Sequence, residues 1–383
     1  MICDQKKRIV VGLGLTGQSY IRYLNNLGLK FSVVDNRESP PNIKKIKDEF
    51  PSLDLYLGKK YSSLLGHADE IYLSPGISIN DPFLSEAKQN SVKIINDIDL
   101  FVGLVSAPIV LITGSNGKST VTHLVGMMAK EAGINVQVGG NIGRPVLDIL
   151  SEDCELYILE LSSFQLEMCS NLSSLVSCIL NITEDHLDRH GTLQNYINIK
   201  KKIYKNSNTC IFNRDDNSTY PSIDSNNSIS FGLDKADKNN YGLIKDNDAT
   251  YISKGEIKLI NKKILSLSAD HNVLNIMSAV AIARSLEINI TSITSAINKF
   301  NGLPHRCEKV AQISGVTFYN DSKATNIGAT IAAIKGFAKN LTGKLIILIG
   351  GRAKQDDFSK LFFLLETINH QLILFGESVE KIL

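Results

Sequence analysis

The feature that most constrains this sequence is an apolar, strand-like run that leads directly into a glycine-rich turn. Residues 108–113 are followed by Gly114-Ser115-Asn116-Gly117-Lys118-Ser119-Thr120. Glycine lets main-chain N–H groups approach a phosphate closely, and the helix predicted to start there adds its positive end. Lys118 can reach the β- and γ-phosphates, and Ser119 can bind Mg²⁺. The pattern predicts a nucleotide-phosphate loop that is one residue shorter than usual.

A second glycine-rich turn lies near the N-terminus. The strand-like run 8–11 precedes Gly12-x-Gly14-x-x-Gly17, and the next strand-like run ends at Asp35. This spacing is typical of dinucleotide-binding domains, where the acidic residue binds a ribose hydroxyl. The motif alone also fits a plain turn. A nicotinamide-dependent oxidoreductase is therefore a competing hypothesis, although it leaves the loop at Gly114 unexplained.

Composition excludes several classes of protein. With 43% hydrophobic and 21% charged residues in 383, the chain is globular and long enough for two or three domains. A net charge of +2 gives no basic field for nucleic acid. Apolar runs too short to cross a bilayer, and six cysteines without a C-x-x-C pair, predict a cytoplasmic protein without membrane insertion.

Acidic, imidazole and amide side chains follow later strand-like runs. Glu160 ends such a run, and the carboxyl ends of parallel strands face the ligand crevice, so we expect Glu160 near the loop's Mg²⁺. His186 lies in Asn181-Ile-Thr-Glu-Asp-His-Leu-Asp188; a lone histidine is more often structural, but these neighbours favour a functional role. Residues 320–326, Asn-Asp-Ser-Lys-Ala-Thr-Asn, predict either a ligand loop or a polar turn.

Six motifs in order resemble the ATP-dependent Mur ligases, from about residue 8 to the end. They are TGSNGKST (113–120), ELSSFQL (160–166), NITEDHLD (181–188), HNVLN (271–275), PHR (304–306) and NDSKATN (320–326). The opening glycines and two of these motifs are most similar to the branch that adds D-glutamate to UDP-N-acetylmuramoyl-L-alanine. The resemblance implies amide formation through an acyl phosphate, in cytoplasmic peptidoglycan precursor synthesis.

The resemblance also implies an α/β fold of three consecutive domains. Residues 1–96 would form a Rossmann-like domain that binds the UDP end of the substrate. Residues 97–302 would form the central ATP-binding domain with a mostly parallel sheet. Residues 303–383 would form an incomplete Rossmann-like C-terminal domain, because the family continues for several dozen residues more. We expect a monomer.

Site residues are carried over by matching position. The implied catalytic residues are Lys118, Glu160, His186 and Lys200. The implied ATP-binding residues are Gly114, Ser115, Asn116, Gly117, Lys118, Ser119, Thr120, Asn275, Arg306 and Asp321. The implied substrate-binding residues are Leu15, Thr16, Asp35, Arg37, Ser74, Gly76, Asn141, Lys323, Thr325 and Lys354. The implied ligands of two Mg²⁺ ions are Ser119, Glu160, His186 and Lys200.

Two features of the sequence have more than one interpretation. Lys200 matches a carbamylated lysine of the family, but charge alone would place it on a solvated basic helix face. Its neighbours Lys201 and Lys202 leave the register open by one residue. The shorter C-terminal domain leaves a non-catalytic nucleotide-binding protein as an alternative, beside a sibling ligase that adds another amino acid.

Overall fold

The computed structural model describes residues 6–222, 227–265, 269–339, 341–351, 358–377 and 379–382. Strands and helices alternate along the chain, which confirms the α/β class. The chain divides into two compact units. One contains residues 1–112, 134–177 and 202–208, and the other contains residues 113–133, 178–201 and 209–383.

The N-terminal segment forms a five-stranded parallel sheet in the order β3-β2-β1-β4-β5. The strands are β1 (Arg8–Val11), β2 (Ser32–Asp35), β3 (Leu55–Leu57), β4 (Glu70–Leu73) and β5 (Lys93–Ile95). The helices are α1 (Leu15–Asn26), α2 (Ile43–Glu49), α3 (Ser85–Gln89) and α4 (Asp97–Leu104), with 3₁₀ turns at Lys59–His67 and Pro82–Leu84. The strand order reverses beside β1, which places the Gly12 turn at the crevice where such sheets bind ligands.

The middle of the chain forms a nine-stranded sheet in the order β14-β13-β12-β11-β10-β9-β6-β8-β7. Its strands are β6 (Ile109–Thr113), β7 (Val136–Gly140), β8 (Leu156–Glu160), β9 (Ser174–Ile179), β10 (Ser207–Asn213), β11 (Ser228–Phe231), β12 (Tyr241–Asp246), β13 (Ala249–Lys254) and β14 (Ile257–Asn261). β6, β7 and β8 pair in parallel, whereas β12, β13 and β14 pair antiparallel. The expected mostly parallel central sheet is confirmed.

Every residue of β6 and β8 is buried, which suits strands covered on both faces. The helices of this region are α5 (Lys118–Glu131), α6 (Ser163–Met168), α7 (Leu187–His190), α8 (Leu193–Lys201), α9 (Asp270–Ser285) and α10 (Ile290–Lys299). Its 3₁₀ turns are Val146–Ile149, Lys202–Tyr204, Asn217–Thr219 and Lys262–Ile264. Helix α5 packs against α9 and α10 and carries nine buried residues. This packing fixes the position of the helix that follows the phosphate loop.

The C-terminal segment forms two small sheets. An antiparallel hairpin joins β15 (Glu308–Ile313) to β16 (Val316–Asn320), and a parallel pair joins β17 (Leu345–Gly350) to β18 (His370–Phe375). The helices are α11 (Ile327–Ala338), α12 (Ser359–Leu365) and α13 (Val379–Ile382). Ile334, Leu361 and Leu365 form its buried cluster. Within the described ranges, no helix has the length and hydropathy of a membrane span.

Candidate functional site

The phosphate loop after β6 takes the backbone shape that its glycines predict. Gly117 has a φ of +84°, in the left-handed region that favours glycine. A Cβ at this position would lie 2.3 Å from Oδ1 of Asn275, which α9 places directly against the loop. The structure therefore brings Asn275 to the loop, and the contact requires glycine at position 117.

Three cationic side chains converge on this loop. Lys118 Nζ donates to the carbonyl oxygens of Gly114 (2.8 Å) and Ser115 (2.9 Å), so its ammonium lies inside the loop. Arg306 Nη2 donates to Ser119 Oγ at 2.9 Å. Lys200 is 1% exposed, and its Nζ donates to Gly114 O at 2.9 Å.

The burial of Lys200 distinguishes it from its neighbours. Its Nζ also donates to Thr113 Oγ1 (3.3 Å) and lies 4.7 Å from the ring centroid of Tyr196. Lys201 and Lys202 are only partly buried, and Lys202 Nζ donates to the carbonyl oxygen of Glu167. The structure thus places Lys200, rather than either neighbour, against the phosphate loop.

The segment Asn181–His186 fixes the loop from a second side. Asn181 accepts from the main-chain N–H of Asn116 (2.9 Å) and donates to its carbonyl oxygen (3.0 Å). The main-chain N–H of Thr183 donates to Ser115 Oγ at 2.9 Å. His186 has a φ of +54°, its side chain is 33% exposed, and its Nε2 lies 3.7 Å from Oδ2 of the buried Asp185. This segment therefore holds the loop through Asn181 and Thr183 and ends at His186, whose imidazole is partly exposed.

The remaining predicted site residues of the C-terminal segment are Asp321, Lys323, Thr325 and Lys354. Asp321 accepts from the main-chain N–H of Cys307 at 3.0 Å, and burial raises the pKa of this carboxyl above its ordinary value. Lys323 and Thr325 have exposed side chains. Lys354 lies outside the described residues.

The sequence predicts no role for Asn326, the last residue of the polar segment 320–326. Its amide reaches Asn116 of the phosphate loop and also Asp185. The only local signal is its place as the N-cap of α11, where Oδ1 accepts from Ala329 N. A capping signal does not reveal a contact with a loop 210 residues away in sequence.

In the first unit, Gly17 lies in close contact with the backbone of Gly12 in the N-terminal glycine turn. Gly12 has a φ of +94°. A Cβ on Gly17 would lie 1.8 Å from the carbonyl oxygen of Gly12, so only glycine fits there. Ser74 Oγ donates to that same oxygen at 2.9 Å. Ser74 therefore supports the turn, and Leu15 just beyond it is 65% exposed, a position suited to an apolar ligand contact.

Asp35 is completely buried and hydrogen-bonded within the chain. Its carboxylate accepts from Leu13 N at 2.7 Å and from Arg37 Nε (2.8 Å) and Nη2 (2.7 Å). Burial alone would raise the pKa of Asp35, but the hydrogen bonds from Arg37 and Leu13 outweigh it and lower the pKa below its ordinary value. The structure uses this carboxylate to hold the glycine turn and to orient Arg37.

Glu160 has an acceptor atom that suits a cation. The residue is 2% exposed, and its Oε1 accepts from Asn141 Nδ2 at 2.7 Å. Within the described residues, Glu160 Oε2 is buried without a hydrogen-bond partner. An unpaired buried carboxylate oxygen is costly, and Mg²⁺ prefers oxygen ligands. The donor chemistry at Glu160 therefore fits a hard divalent cation.

The other predicted metal ligands fit less directly as they stand. Ser119 Oγ already accepts from Arg306, and an ammonium at Lys200 is a hydrogen-bond donor that cannot ligate. Within the described ranges, no group of three His, Cys, Asp or Glu residues is arranged to hold a metal ion. A carbamate at Lys200 would supply oxygen ligands that the amine lacks.

Three family models match the chain in consecutive segments. Residues 6–96 match the Mur ligase MurD-like N-terminal domain, residues 112–283 match the Mur ligase middle domain, and residues 305–382 match the Mur ligase glutamate ligase domain. Together these segments span most of the sequence.

Curated relatives match over nearly the whole chain. The UDP-N-acetylmuramoylalanine–D-glutamate ligase of Legionella pneumophila (strain Paris) is 41% identical over 379 residues, which are 98% of this chain and 85% of that protein. The ligase of the same name from Pseudomonas aeruginosa is 43% identical over 362 residues, 94% of this chain and 81% of that protein.

Solved structures share the fold at low sequence identity. UDP-N-acetylmuramate–alanine ligase MurC from Thermotoga maritima has a TM-score of 0.60 at 18% identity, covering 99% of this chain and 93% of that chain. MurF ligase from Thermotoga maritima, solved in complex with ADP, has a TM-score of 0.59 at 18% identity, covering 96% of this chain and 81% of that chain. The matched domains, the close relatives and the shared fold lead to one conclusion: this chain belongs to the Mur ligase family.

Proposed function

We propose that this protein is an ATP-dependent ligase that joins D-glutamate to UDP-N-acetylmuramoyl-L-alanine in cytoplasmic peptidoglycan precursor synthesis. The observation that carries the proposed chemistry is the convergence of Lys118 and Arg306 on one phosphate loop. The choice of D-glutamate is supported by relatives of that name at 41% and 43% identity. These relatives also support this member of the family over a sibling that adds another amino acid.

The reaction explains why so much positive charge surrounds one loop. A carboxylate resists attack by an amine, because its charge repels the nucleophile and oxide is a poor leaving group. Transfer of the γ-phosphoryl group of ATP to the alanyl carboxylate gives an acyl phosphate. The amine of D-glutamate then attacks the acyl carbon, and phosphate leaves. Lys118 and Arg306 would neutralise phosphoryl charge as it moves, which is the main protein contribution to phosphoryl transfer.

We assign ATP to the loop Gly114–Thr120, with Asn275, Arg306 and Asp321 as further contacts. The UDP end of the substrate is assigned to the glycine turn after β1. There the exposed side chains of Leu15 and Arg37, the latter held by Asp35, are suited to bind a nucleotide. Thr16, Ser74, Gly76 and Asn141 complete the proposed contacts of UDP-N-acetylmuramoyl-L-alanine. Lys323, Thr325 and Lys354 are proposed where the C-terminal domain meets the active site, with Thr325 and Lys354 near D-glutamate.

The division into segments 1–96, 97–302 and 303–383 is proposed on the same basis. It is supported by the separate matches of the three family domains. We further propose that the protein acts as a monomer.

Two Mg²⁺ ions are proposed to bind at this site. Ser119 and Glu160 would hold the first, and His186 with a carbamylated Lys200 would hold the second. When bound, the ions would screen the phosphate charges. The unpartnered Oε2 of Glu160 supports the first assignment, and the burial of Lys200 at the loop supports the second.

The test is phosphate release by the purified 383-residue chain with ATP, MgCl₂ and UDP-N-acetylmuramoyl-L-alanine, with and without D-glutamate. We expect phosphate release to require D-glutamate and mass spectrometry to detect the amide product. Lys118→Ala serves as the inactive control, with circular dichroism to verify its fold. We expect it to lose activity because it lacks the loop ammonium.

Other outcomes separate the alternatives. ATP binding without turnover would indicate a non-catalytic nucleotide-binding protein. A product formed only with a different amino acid would indicate a sibling ligase. Tight binding of NADH, without release of phosphate, would revive the oxidoreductase hypothesis.

A further inference from the structure

Asn326 joins three loops through one buried amide. Its Nδ2 donates to Asn116 Oδ1 at 3.1 Å and to Asp185 Oδ2 at 3.2 Å. Its Oδ1 accepts from Ala329 N at 2.8 Å and from Asn116 Nδ2 at 3.3 Å. The residue is 6% exposed, so water cannot readily replace these partners. Asn326 therefore uses both ends of its amide at once.

The partner in the phosphate loop is itself held on its other side. The main-chain N–H and C=O of Asn116 are both engaged by Asn181. The side chain of Asn116 is engaged by Asn326. Asn116 precedes Lys118 by two residues, so its position sets where the loop directs that lysine. Loss of the Asn326 contact would free one of the two anchors of Asn116.

The second partner connects Asn326 to the candidate imidazole. Asp185 is buried and accepts from the main-chain N–H of His186 at 3.0 Å. A change at Asn326 therefore removes one donor from the carboxylate that orients the main chain of His186.

We propose that Asn326 is a positioning residue that fastens the ligand loop of residues 320–326 to the phosphate loop through Asn116 and to the His186 segment through Asp185. The inference rests on the proposed function for its catalytic meaning. The positioning of the phosphate loop, however, affects nucleotide affinity, which can be measured without amide formation.

The geometry separates this role from simple helix capping. Aspartate caps a helix about as well as asparagine, so Asn326→Asp keeps the bond from Ala329 N. The same substitution removes the Nδ2 donor and sets a second carboxylate against Asp185. Like charges in a buried place repel strongly. A capping role therefore predicts little effect of Asn326→Asp, whereas the bridging role predicts a large one.

The experiment titrates Mg²⁺ with the non-hydrolysable analogue AMP-PNP into the full chain by calorimetry. For Asn326→Asp we expect affinity to fall about tenfold or more, because both hydrogen bonds donated by Nδ2 are lost and a repulsion is added. For Asn326→Ser, which keeps the cap without adding charge, we expect a smaller loss of roughly threefold. The matched control is Asn289→Asp at the N-cap of α10, which should bind like the unmodified chain.

Asn116→Ala breaks the same amide pair from the other side and leaves the cap intact. We expect it to weaken binding as Asn326→Ser does, and the double variant to be little worse than either single one. This variant also covers the case in which Asn326→Asp fails to fold. Unchanged affinity in both Asn326→Ser and Asn116→Ala, or fully additive losses, would overturn the proposal. Absence of ligase product with these binding effects intact would refute the proposed function alone.

Discussion

Asp97 opens helix α4 with a carboxylate that is almost wholly buried. Its Oδ2 accepts from Gln165 Nε2 at 3.4 Å, and within the described residues its Oδ1 has no hydrogen-bond partner. Burial raises the pKa of Asp97 from its ordinary 3.8 to about 6. At neutral pH the folded protein therefore keeps a poorly solvated charge, which Asp97→Asn would remove.

The sign of the effect follows from proton linkage. Between pH 3.8 and about 6, the folded state holds a proton on Asp97 that the unfolded chain has released. Stability therefore falls as pH rises through this window and stays lower above it. A shift of this size corresponds to about 3 kcal/mol. Asparagine keeps one oxygen for Gln165 but adds an N–H₂ group that needs a partner, at a cost of roughly 1 kcal/mol or more.

We therefore expect Asp97→Asn to stabilise the protein by about 1–2 kcal/mol at pH 7.5. The gain should shrink to nothing near pH 4.5, where the native aspartic acid is already neutral. The chain contains no tryptophan, so thermal unfolding is best followed by far-ultraviolet circular dichroism at both pH values. A gain of equal size at both pH values, or a loss at pH 7.5, would refute this reasoning.

Asp99 provides the control within the same helix. Its carboxylate accepts from Asn96 Nδ2 and, at one edge of the loop beyond α6, from Ser170 N, Ser170 Oγ and Asn171 N. Asp99→Asn would replace one acceptor oxygen by a donor that faces other donors. We expect it to lower the melting temperature at pH 7.5, opposite to Asp97→Asn. Two identical chemical changes would then differ in sign because of their partners alone.

Two further predictions concern the glycine turn after β1. Gly17→Ala should destabilise the protein by roughly 3 kcal/mol or more, because its Cβ would overlap Gly12 O. The control is Gly14→Ala, whose Cβ would have no atom within 4 Å and whose melting temperature should stay near that of the unmodified chain. Equal melting temperatures of the two variants would contradict the contact. Asp35→Asn should weaken the binding of UDP about tenfold through loss of the ion pair with Arg37, as measured by calorimetry. Asp48→Asn, at an exposed position, controls for the change in net charge. Unchanged UDP binding in Asp35→Asn would contradict this role of Asp35.

The fold class could be predicted because its signals are local. The strand-like run at 8–11 forms β1 with the same bounds, and the apolar run before Gly114 forms β6. Both glycine turns follow buried parallel strands, as their spacing predicts. Apolar β-branched runs and glycines act through the conformations of a few adjacent residues, so sequence alone carries this information.

Side-chain partners were less predictable, because they depend on distant segments. The spacing of Asp35 suggested a ribose ligand, but it could not reveal that Leu13 and Arg37 take up its carboxylate. The three consecutive lysines from Lys200 to Lys202 are chemically equal in sequence. Only the packing of α8 against the phosphate loop buries the first of them.

Around the phosphate loop, the groups that fix the shape of the loop differ in chemical type from the groups suited to bind phosphate. The groups that fix its shape are neutral amides from Asn116, Asn181 and Asn326. Neutral groups hold a backbone in place without attracting or repelling a polyanion. The cation Lys118 instead donates to carbonyl oxygens of the loop, partners that a phosphate can outcompete because an anionic acceptor forms stronger hydrogen bonds. The shape of the loop can therefore persist while Lys118 exchanges partners, which is the behaviour that repeated phosphoryl transfer requires.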